Sequence, residues 1–198
     1  MITIIIPCYN EKENIKDFID ELYLNVKNLK GDFEIIFIDN KSIDNTVNII
    51  KENIAVFKNY KLICLSNYFG KEAAILSGLD KATGDASIIM DPDLEDPPKL
   101  IEKLIVKWKE GNDVVYAQRK NTETTVLKKI MKKVFYFIFK SLVNKKFAIP
   151  ENTGDYRLLD KKITMQIISM RERNRFLRGL VSFVGHKQEG IEFDRPFR

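Results

Sequence analysis

Histidine and cysteine are nearly missing from this chain of 198 residues, which holds one of the first and two of the second. A single imidazole, His186, excludes a histidine-rich zinc site and leaves a Ser-His-Asp triad resting on one residue with no nucleophile motif beside it. Cys8 and Cys64 stand far apart without a metal-binding spacing, in or just after apolar runs, and read as reduced residues of a cytosolic protein. No run of about 18 uncharged apolar residues occurs, so nothing here spans a bilayer by itself. The opening Met1-Ile2-Thr3-Ile4-Ile5-Ile6-Pro7 lacks the basic start and small-residue cleavage site of a signal peptide and reads as a first strand. There is no glycine-rich loop after it to hold a triphosphate, no internal repeat and no linker rich in Gly, Ser or Pro. What remains is 44% hydrophobic and 31% charged, an ordinary globular composition long enough for one core and a single domain.

Apolar runs at 2–6, 33–38, 61–65, 86–90 and 113–118 read as buried strands. Between them lie helical spacings at 12–29 (Ile15, Phe18, Ile19, Leu22, Val26, with Asn10 as N-cap), at 47–57, at 71–82, and at 100–108 closed by Gly111. Strands without polar alternation, separated by helices, predict an α/β fold: a Rossmann-like, mostly parallel sheet with helices on both faces. Polar clusters follow the strands at Asn10-Glu11, Asp39-Asn40, Asp91-Asp93 and Arg119. Each alone is an ordinary cap or turn; all emerging on one sheet edge, they predict one pocket. The densest is Asp91-Pro92-Asp93-Leu94-Glu95-Asp96-Pro97-Pro98, with four carboxylates in six residues. Carboxylates at the mouth of such a sheet suit a hard divalent cation, which would in turn hold a diphosphate. Asp96 reads as the cap of the helix opened by Pro97-Pro98.

The net charge of +5 points to an anionic partner, and the excess is concentrated: residues 126–146 carry seven lysines and no acid. Leu127, Ile130, Met131, Val134, Ile138 and Leu142 give a helix over 126–143, and Phe135, Phe137 and Phe139 widen its apolar face. Two readings fit, an amphipathic basic helix lying in a membrane interface and a core helix with a solvated basic face. Nucleic acid is set aside because no base-reading motif accompanies the lysines. Residues 152–159 read as a loop entering a short strand, about 160–170 as a helix, 171–179 as an arginine cluster and 181–193 as a strand pair.

Seven ordered blocks resemble the inverting glycosyltransferases of family 2. They are Pro7-Cys8-Tyr9-Asn10-Glu11, Asp39 to Thr46, Gly70-Lys71, the acidic turn from Asp91 to Pro98, Gln118-Arg119-Lys120, Asn152-Thr153-Gly154-Asp155-Tyr156-Arg157-Leu158 and Arg173-Asn174-Arg175-Phe176-Leu177-Arg178-Gly179-Leu180. More narrowly they look like the polyprenyl-phosphate group, which includes dolichol-phosphate mannose synthase and the GtrB-type undecaprenyl-phosphate glucosyltransferases. The resemblance implies a GT-A fold, with a nucleotide-sugar half over about 1–120 and an acceptor- and membrane-facing half over about 121–198. It also implies a metal-dependent transferase, peripheral at the cytoplasmic face of the cell membrane, moving a sugar from a nucleotide diphosphate to polyprenyl phosphate. UDP-sugars are favoured, although guanine offers Asp39 the same kind of donor as uracil.

By similarity, Pro7, Tyr9, Glu11 and Asp39 line the nucleoside pocket, and Lys71 and Arg119 add positive charge beside the phosphates. Asp91 and Asp93 face the ribose and a Mg2+ or Mn2+ ion, with Glu95 completing the metal shell. Asp155 matches the catalytic aspartate, and Arg157, Arg173, Arg175 and Arg178 are candidates for the acceptor phosphate. A phosphate monoester has a second pKa of about 6 and scarcely needs a general base, so Asp155 is expected to orient rather than deprotonate. A hydroxyl acceptor on a glycan, protein or lipid would need it as a base. Asp39-Asn40-Lys41 replaces the family's two acids and a glycine, and Glu95 replaces a usual glutamine. These departures keep a degenerate, non-catalytic nucleotide-sugar binder as an alternative. The chain stops at Arg198, where such proteins continue toward a further basic segment and usually two transmembrane helices; homo-oligomerisation is left open.

Overall fold

The computed structural model describes residues 1–120, 150, 152–170, 176–184 and 186–194. The helix expected over 126–143, and Arg173 and Arg175, lie outside the described residues. The elements run β1 (Ile2–Cys8), α1 (Ile15–Val26), β2 (Phe33–Asp39), α2 (Thr46–Asn53), β3 (Tyr60–Cys64), α3 (Lys71–Lys81), β4 (Ala86–Ile89), α4 (Ile101–Lys109), β5 (Val114–Arg119), β6 (Thr153–Asp160), α5 (Lys161–Ser169), α6 (Leu177–Val184) and β7 (Gln188–Phe193). The strands form one seven-stranded sheet in the order β3-β2-β1-β4-β6-β5-β7. Only β6 runs against its neighbours, β4 and β5; the other pairings are parallel.

Alternate residues of the central strand feed opposite faces, as a pleated strand requires. Ile4 and Ile6 join Phe18, Leu22, Phe37, Leu104 and Tyr156 on the α1 and α4 side. Ile5 joins Ile38, Ile75, Leu79, Leu159, Ile163 and Leu177 on the side of α3, α5 and α6. Helix α3 lies so close to the sheet that a Cβ at Gly78 would stand 2.5 Å from Ile5 Cγ2, so no larger residue fits there without a shift.

Five local expectations are corrected. Asn10 is not an N-cap: it sits at φ 56° and its Oδ1 accepts the Ile43 N–H, while the helix begins later, at Ile15. Asn tolerates the left-handed region, and the loop between the two uses that freedom to turn. The spacing expected as one helix over 47–57 ends at Asn53 and continues as a single 3-10 turn, Ile54–Val56. The stretch expected as a loop and short strand is the eight-residue β6, extended because it pairs on both sides. The expected strand pair at 181–193 is a helix, α6, followed by one strand. Leu177, Leu180 and Val181 meet the core at helical spacing, and that packing overrides the β preference of Val and Phe. Asp96 caps no helix, since the turn after it is flanked by Pro97 with no side-chain cap.

At the sheet edge where β1 and β2 begin, Glu34 is 1% exposed yet charged. Burial pushes its carboxyl up, but Lys61 at 2.6 Å, the Thr3 hydroxyl at 2.7 Å and the Thr83 N–H at 3.0 Å together hold it below the ordinary value. Glu34→Ala is expected to cost about 2 kcal/mol in urea melts near neutral pH, the worth of hydrogen bonds to a charged group. Because the folded carboxyl is the more acidic one, its contribution is complete above the unfolded pKa and fades as pH falls through the folded value. The gap between the two proteins therefore closes in acid, which melts taken across that range would show.

Candidate active site

The sheet order reverses between β1 and β4, and ligands of open α/β sheets collect beyond the carboxyl ends of strands at such a point. Here that place is a cavity of about 260 Å³ lined by Pro7, Cys8, Tyr9, Glu11, Asn40, Tyr68, Lys71, Ala74, Asp91, Pro92 and Asp93. Six of the residues singled out in the sequence, Pro7, Tyr9, Glu11, Lys71, Asp91 and Asp93, thus share one wall. A larger cleft of about 640 Å³ among Tyr23, Val26, Phe57 and Lys58 lies at the opposite end of the sheet, away from the carboxylates.

One side of the cavity is two loops stitched together. Ser42 Oγ accepts the Asn10 N–H at 2.9 Å, and Thr46 Oγ1 accepts the Glu11 N–H at 2.8 Å. Asp39 is buried, and both its oxygens accept the Ser42 N–H, at 3.1 and 3.3 Å, so its carboxylate shapes the turn behind the cavity. Its neighbour Asn40 lines the cavity and accepts the Phe69 N–H at 2.9 Å, which fixes the loop carrying Tyr68. The rings of Tyr68 and Tyr9 meet with centroids 4.6 Å apart at 53°. Tyr68 was missed in the sequence; the signal was an aromatic residue in the loop after the third strand, which opens on the same edge. Lys41 adopts φ 67°, in the left-handed region that favours glycine.

The other side depends on the reversal of β6. Its register pairs Ile89 with Arg157, and carrying it two residues onward sets Asp155 against Asp91. Lys71, at the start of α3, spans the two: its Nζ is 2.7 Å from Asp91 Oδ2 and 2.8 Å from Asp155 Oδ2. Arg178 Nε stands 3.4 Å from Asp155 Oδ1, and its Nη1 donates to the Thr153 carbonyl at 3.4 Å. Arg157 is 4% exposed and donates to the Gly154 carbonyl at 2.7 Å, while its Nε has no hydrogen-bond partner among the described residues. Burial pushes its guanidinium down to about 10.

The carboxylates divide by their neighbours. Burial drives Asp155 up, but Lys71, Arg157 and Arg178 prevail and hold it below the ordinary range. Asp91 shares Lys71, yet burial together with Asp155 and Asp93 leaves it raised. Asp96 is 4% exposed, accepts the Asp91 N–H at 3.4 Å and lies 3.9 Å from Arg119; burial, then Asp91 and Asp93, push it to about 7. Arg119 therefore stands beyond the acidic turn, beside Asp96. Between them Leu94 takes φ 58°, a strained value for a leucine, and lets the Glu95 N–H turn back onto Asp93 Oδ1 at 3.0 Å.

This donor set fits a hard divalent cation: its ligands are oxygens only, carboxylates crowded closely enough that Asp91 and Asp93 add to burial in raising Asp96. Among the described residues no three carboxylate, imidazole or thiol groups converge as a ready-made cage. Magnesium-type sites are commonly of that kind, one or two carboxylates with phosphate oxygens of the substrate supplying the rest.

Residues 3–168 match the family described as glycosyl transferase family 2. An uncharacterized glycosyltransferase of Synechocystis is 40% identical over all of this chain and 62% of its own length. A prophage bactoprenol glucosyl transferase homolog of Escherichia coli K12 is 39% identical over all of this chain and 64% of its own. The chain thus spans a little over three fifths of the curated relatives it matches. Among solved structures, a mannosyltransferase of Pyrobaculum calidifontis in complex with GDP-Man and Mn2+ superposes with a TM-score of 0.69 at 18% identity, over 96% of this chain and 54% of that one. Glucosyl-3-phosphoglycerate synthase of Mycobacterium tuberculosis, in complex with Mn2+, UDP-glucose and phosphoglyceric acid, gives 0.61 at 16%, over 82% and 57%. At such identities the likeness shows the fold, which is the expected GT-A arrangement.

Proposed function

The chain belongs to glycosyl transferase family 2, and from that premise we propose that it moves a sugar from a nucleotide diphosphate, a UDP-sugar by preference, onto polyprenyl phosphate at the cytoplasmic face of a membrane. The observation that carries this reading is the junction at Asp155. On one side Lys71 links it to the acidic turn; on the other stand Arg178 and the buried Arg157, whose Nε is unpaired among the described residues. A cavity for a nucleotide and a pair of forked cations for a second phosphate meet at one carboxylate. The bactoprenol relative supports a polyprenyl acceptor, and the Mn2+ in structural neighbours supports a divalent ion.

Pro7, Tyr9, Glu11, Asn40 and Tyr68 enclose the nucleoside, with Asp39 bracing the turn behind them. Asp91 and Asp93, with Glu95 beside them, would hold Mg2+ or Mn2+. Such an ion, when bound, neutralises charge on the departing diphosphate. Lys71 and Arg119 add fixed positive charge at the same edge, already oriented before the reaction. An oxygen of the acceptor phosphate attacks the anomeric carbon from the Asp155 side. The bond from that carbon to the diphosphate breaks, its electrons leave with the nucleoside diphosphate, and the anomeric configuration inverts. The attacking phosphate is largely dianionic at neutral pH, so no side chain has to take a proton. Arg157 and Arg178 bind the acceptor phosphate; Arg173 and Arg175 as further phosphate ligands, and the segment 126–143 as a membrane contact, are carried by the sequence alone.

A hydroxyl acceptor would need Asp155 as a base, and a carboxyl held below its ordinary pKa by three cations is poorly suited to that. Glu95→Gln is expected to raise the Mn2+ concentration for half-maximal rate only about threefold, since one neighbouring carboxylate oxygen is exchanged for an amide oxygen. Complete loss of activity in that metal titration would contradict the assignment. Donor selection is tested by titrating UDP-glucose, UDP-GlcNAc and GDP-mannose into the protein calorimetrically with and without Mn2+. Binding of a UDP-sugar that tightens with Mn2+ is expected, and equal, metal-independent binding of all three would count against the reading.

A further inference from the structure

Lys71 and its neighbour Glu72 open α3 facing different partners. Lys71 reaches the carboxylates of the acidic turn and of β6. Glu72, half-buried, accepts the backbone N–H of Leu177 through Oε2 at 3.1 Å, across 105 residues of sequence. Leu177 is the first residue of α6, fully buried against the core that α3 and α5 share. The first N–H groups of a helix have no partner within it, so a carboxylate accepting one satisfies an orphan donor and sits at the favourable end of the helix dipole. The next residue is Arg178, which contacts Asp155 and the Thr153 carbonyl.

We propose that Glu72 is a positioning residue for acceptor binding: by holding the Leu177 N–H it fixes the first turn of α6 against α3, and so places Arg178 at Asp155 in register with Lys71. This rests on the reading that Arg178 meets the acceptor phosphate. Two adjacent side chains then align the two halves of the reaction, Lys71 toward the donor diphosphate and Glu72 toward the helix bearing the acceptor's arginine. Carboxylate charge is not essential to the clamp, because a glutamine oxygen accepts the same N–H. Alanine removes the acceptor altogether.

The test compares Glu72→Ala, Glu72→Gln and Arg178→Ala for acceptor KM, donor affinity and hydrogen exchange of the Leu177 amide. In Glu72→Ala the acceptor KM rises about tenfold, the effect of one lost hydrogen bond on the placement of a charged group, with donor affinity within about twofold. Exchange at Leu177 accelerates in the same protein, and Glu72→Gln restores both. An unchanged acceptor KM in Glu72→Ala beside a raised one in Arg178→Ala overturns the proposal and leaves the acceptor reading standing. So does a glutamine variant as impaired as alanine. If Arg178→Ala itself leaves acceptor KM unchanged, the acceptor reading fails and the positioning role with it, while exchange at Leu177 still reports whether the clamp exists. Should Glu72→Ala not fold, Glu72→Asp, whose shorter side chain withdraws the oxygen but keeps the charge, takes its place.

Discussion

Asp155→Asn lowers kcat by about a thousandfold, and raising the pH recovers none of it, the loss being of fixed charge at the reacting centre. The amide keeps the shape of the side chain but cannot hold Lys71 at 2.8 Å and Arg178 at 3.4 Å as a carboxylate does. It also removes the anion that acts most strongly on the buried Arg157. Both the donor-side and acceptor-side cations lose their common anchor, and the residual activity is that of a misaligned pair of phosphates. Because Lys71, Arg157 and Arg178 keep the Asp155 carboxyl below its usual value, it is ionised throughout the range in which the acceptor phosphate titrates. The acid limb of the wild-type profile then belongs to the acceptor, near the phosphate pKa of about 6. A limb that follows the enzyme and disappears in Asp155→Asn would identify a base instead.

Asp93→Asn is the second large effect. Asp93 lines the cavity beyond β1 and β4, and its Oδ1 accepts the Glu95 N–H at 3.0 Å, the bond that closes the turn around the left-handed Leu94. An asparagine oxygen accepts the same N–H, though more weakly than a carboxylate, so the turn is retained while the charge is lost. The expected result is a Mn2+ affinity about a hundredfold weaker, read by the EPR signal of the free ion in the presence of UDP. Turnover is expected to fall about a thousandfold, equivalent to roughly 4 kcal/mol of transition-state stabilisation. Melting within a few degrees of wild type would show that the turn is intact. Retained Mn2+ affinity would remove Asp93 from the metal's ligands.

The parts of this site that were legible in the sequence are those built by neighbours in the chain. The run from Ala86 to Asp93 shows a buried strand breaking into acids, and apolar strands without polar alternation announce a covered parallel sheet. The link between Asp91 and Asp155 was not legible, because it depends on β6 running antiparallel beside β4, a choice made by tertiary pairing across 64 residues of sequence. The same holds for Glu72 and Leu177, whose contact exists only once α6 has docked. The helix α6 was misread as strand because Val181, Phe183 and Val184 favour strands locally, while Leu177, Leu180 and Val181 are buried at helical spacing. Asn10 and Asp96 look like caps in sequence and do other work in the fold: one turns a loop at positive φ, the other is a buried acid beneath the donor turn. Asp and Asn serve caps, turns and sites with the same groups, and only their surroundings separate the three.

The central claim is that the nucleophile is a lipid phosphate. Its most direct test gives the protein radiolabelled UDP-glucose and Mn2+ with undecaprenyl phosphate in one reaction and undecaprenol in another. Label entering lipid only with the phosphate, in an acid-labile product, is the predicted result. Equal labelling of the alcohol, or donor binding with no transfer to the phosphate, would contradict it.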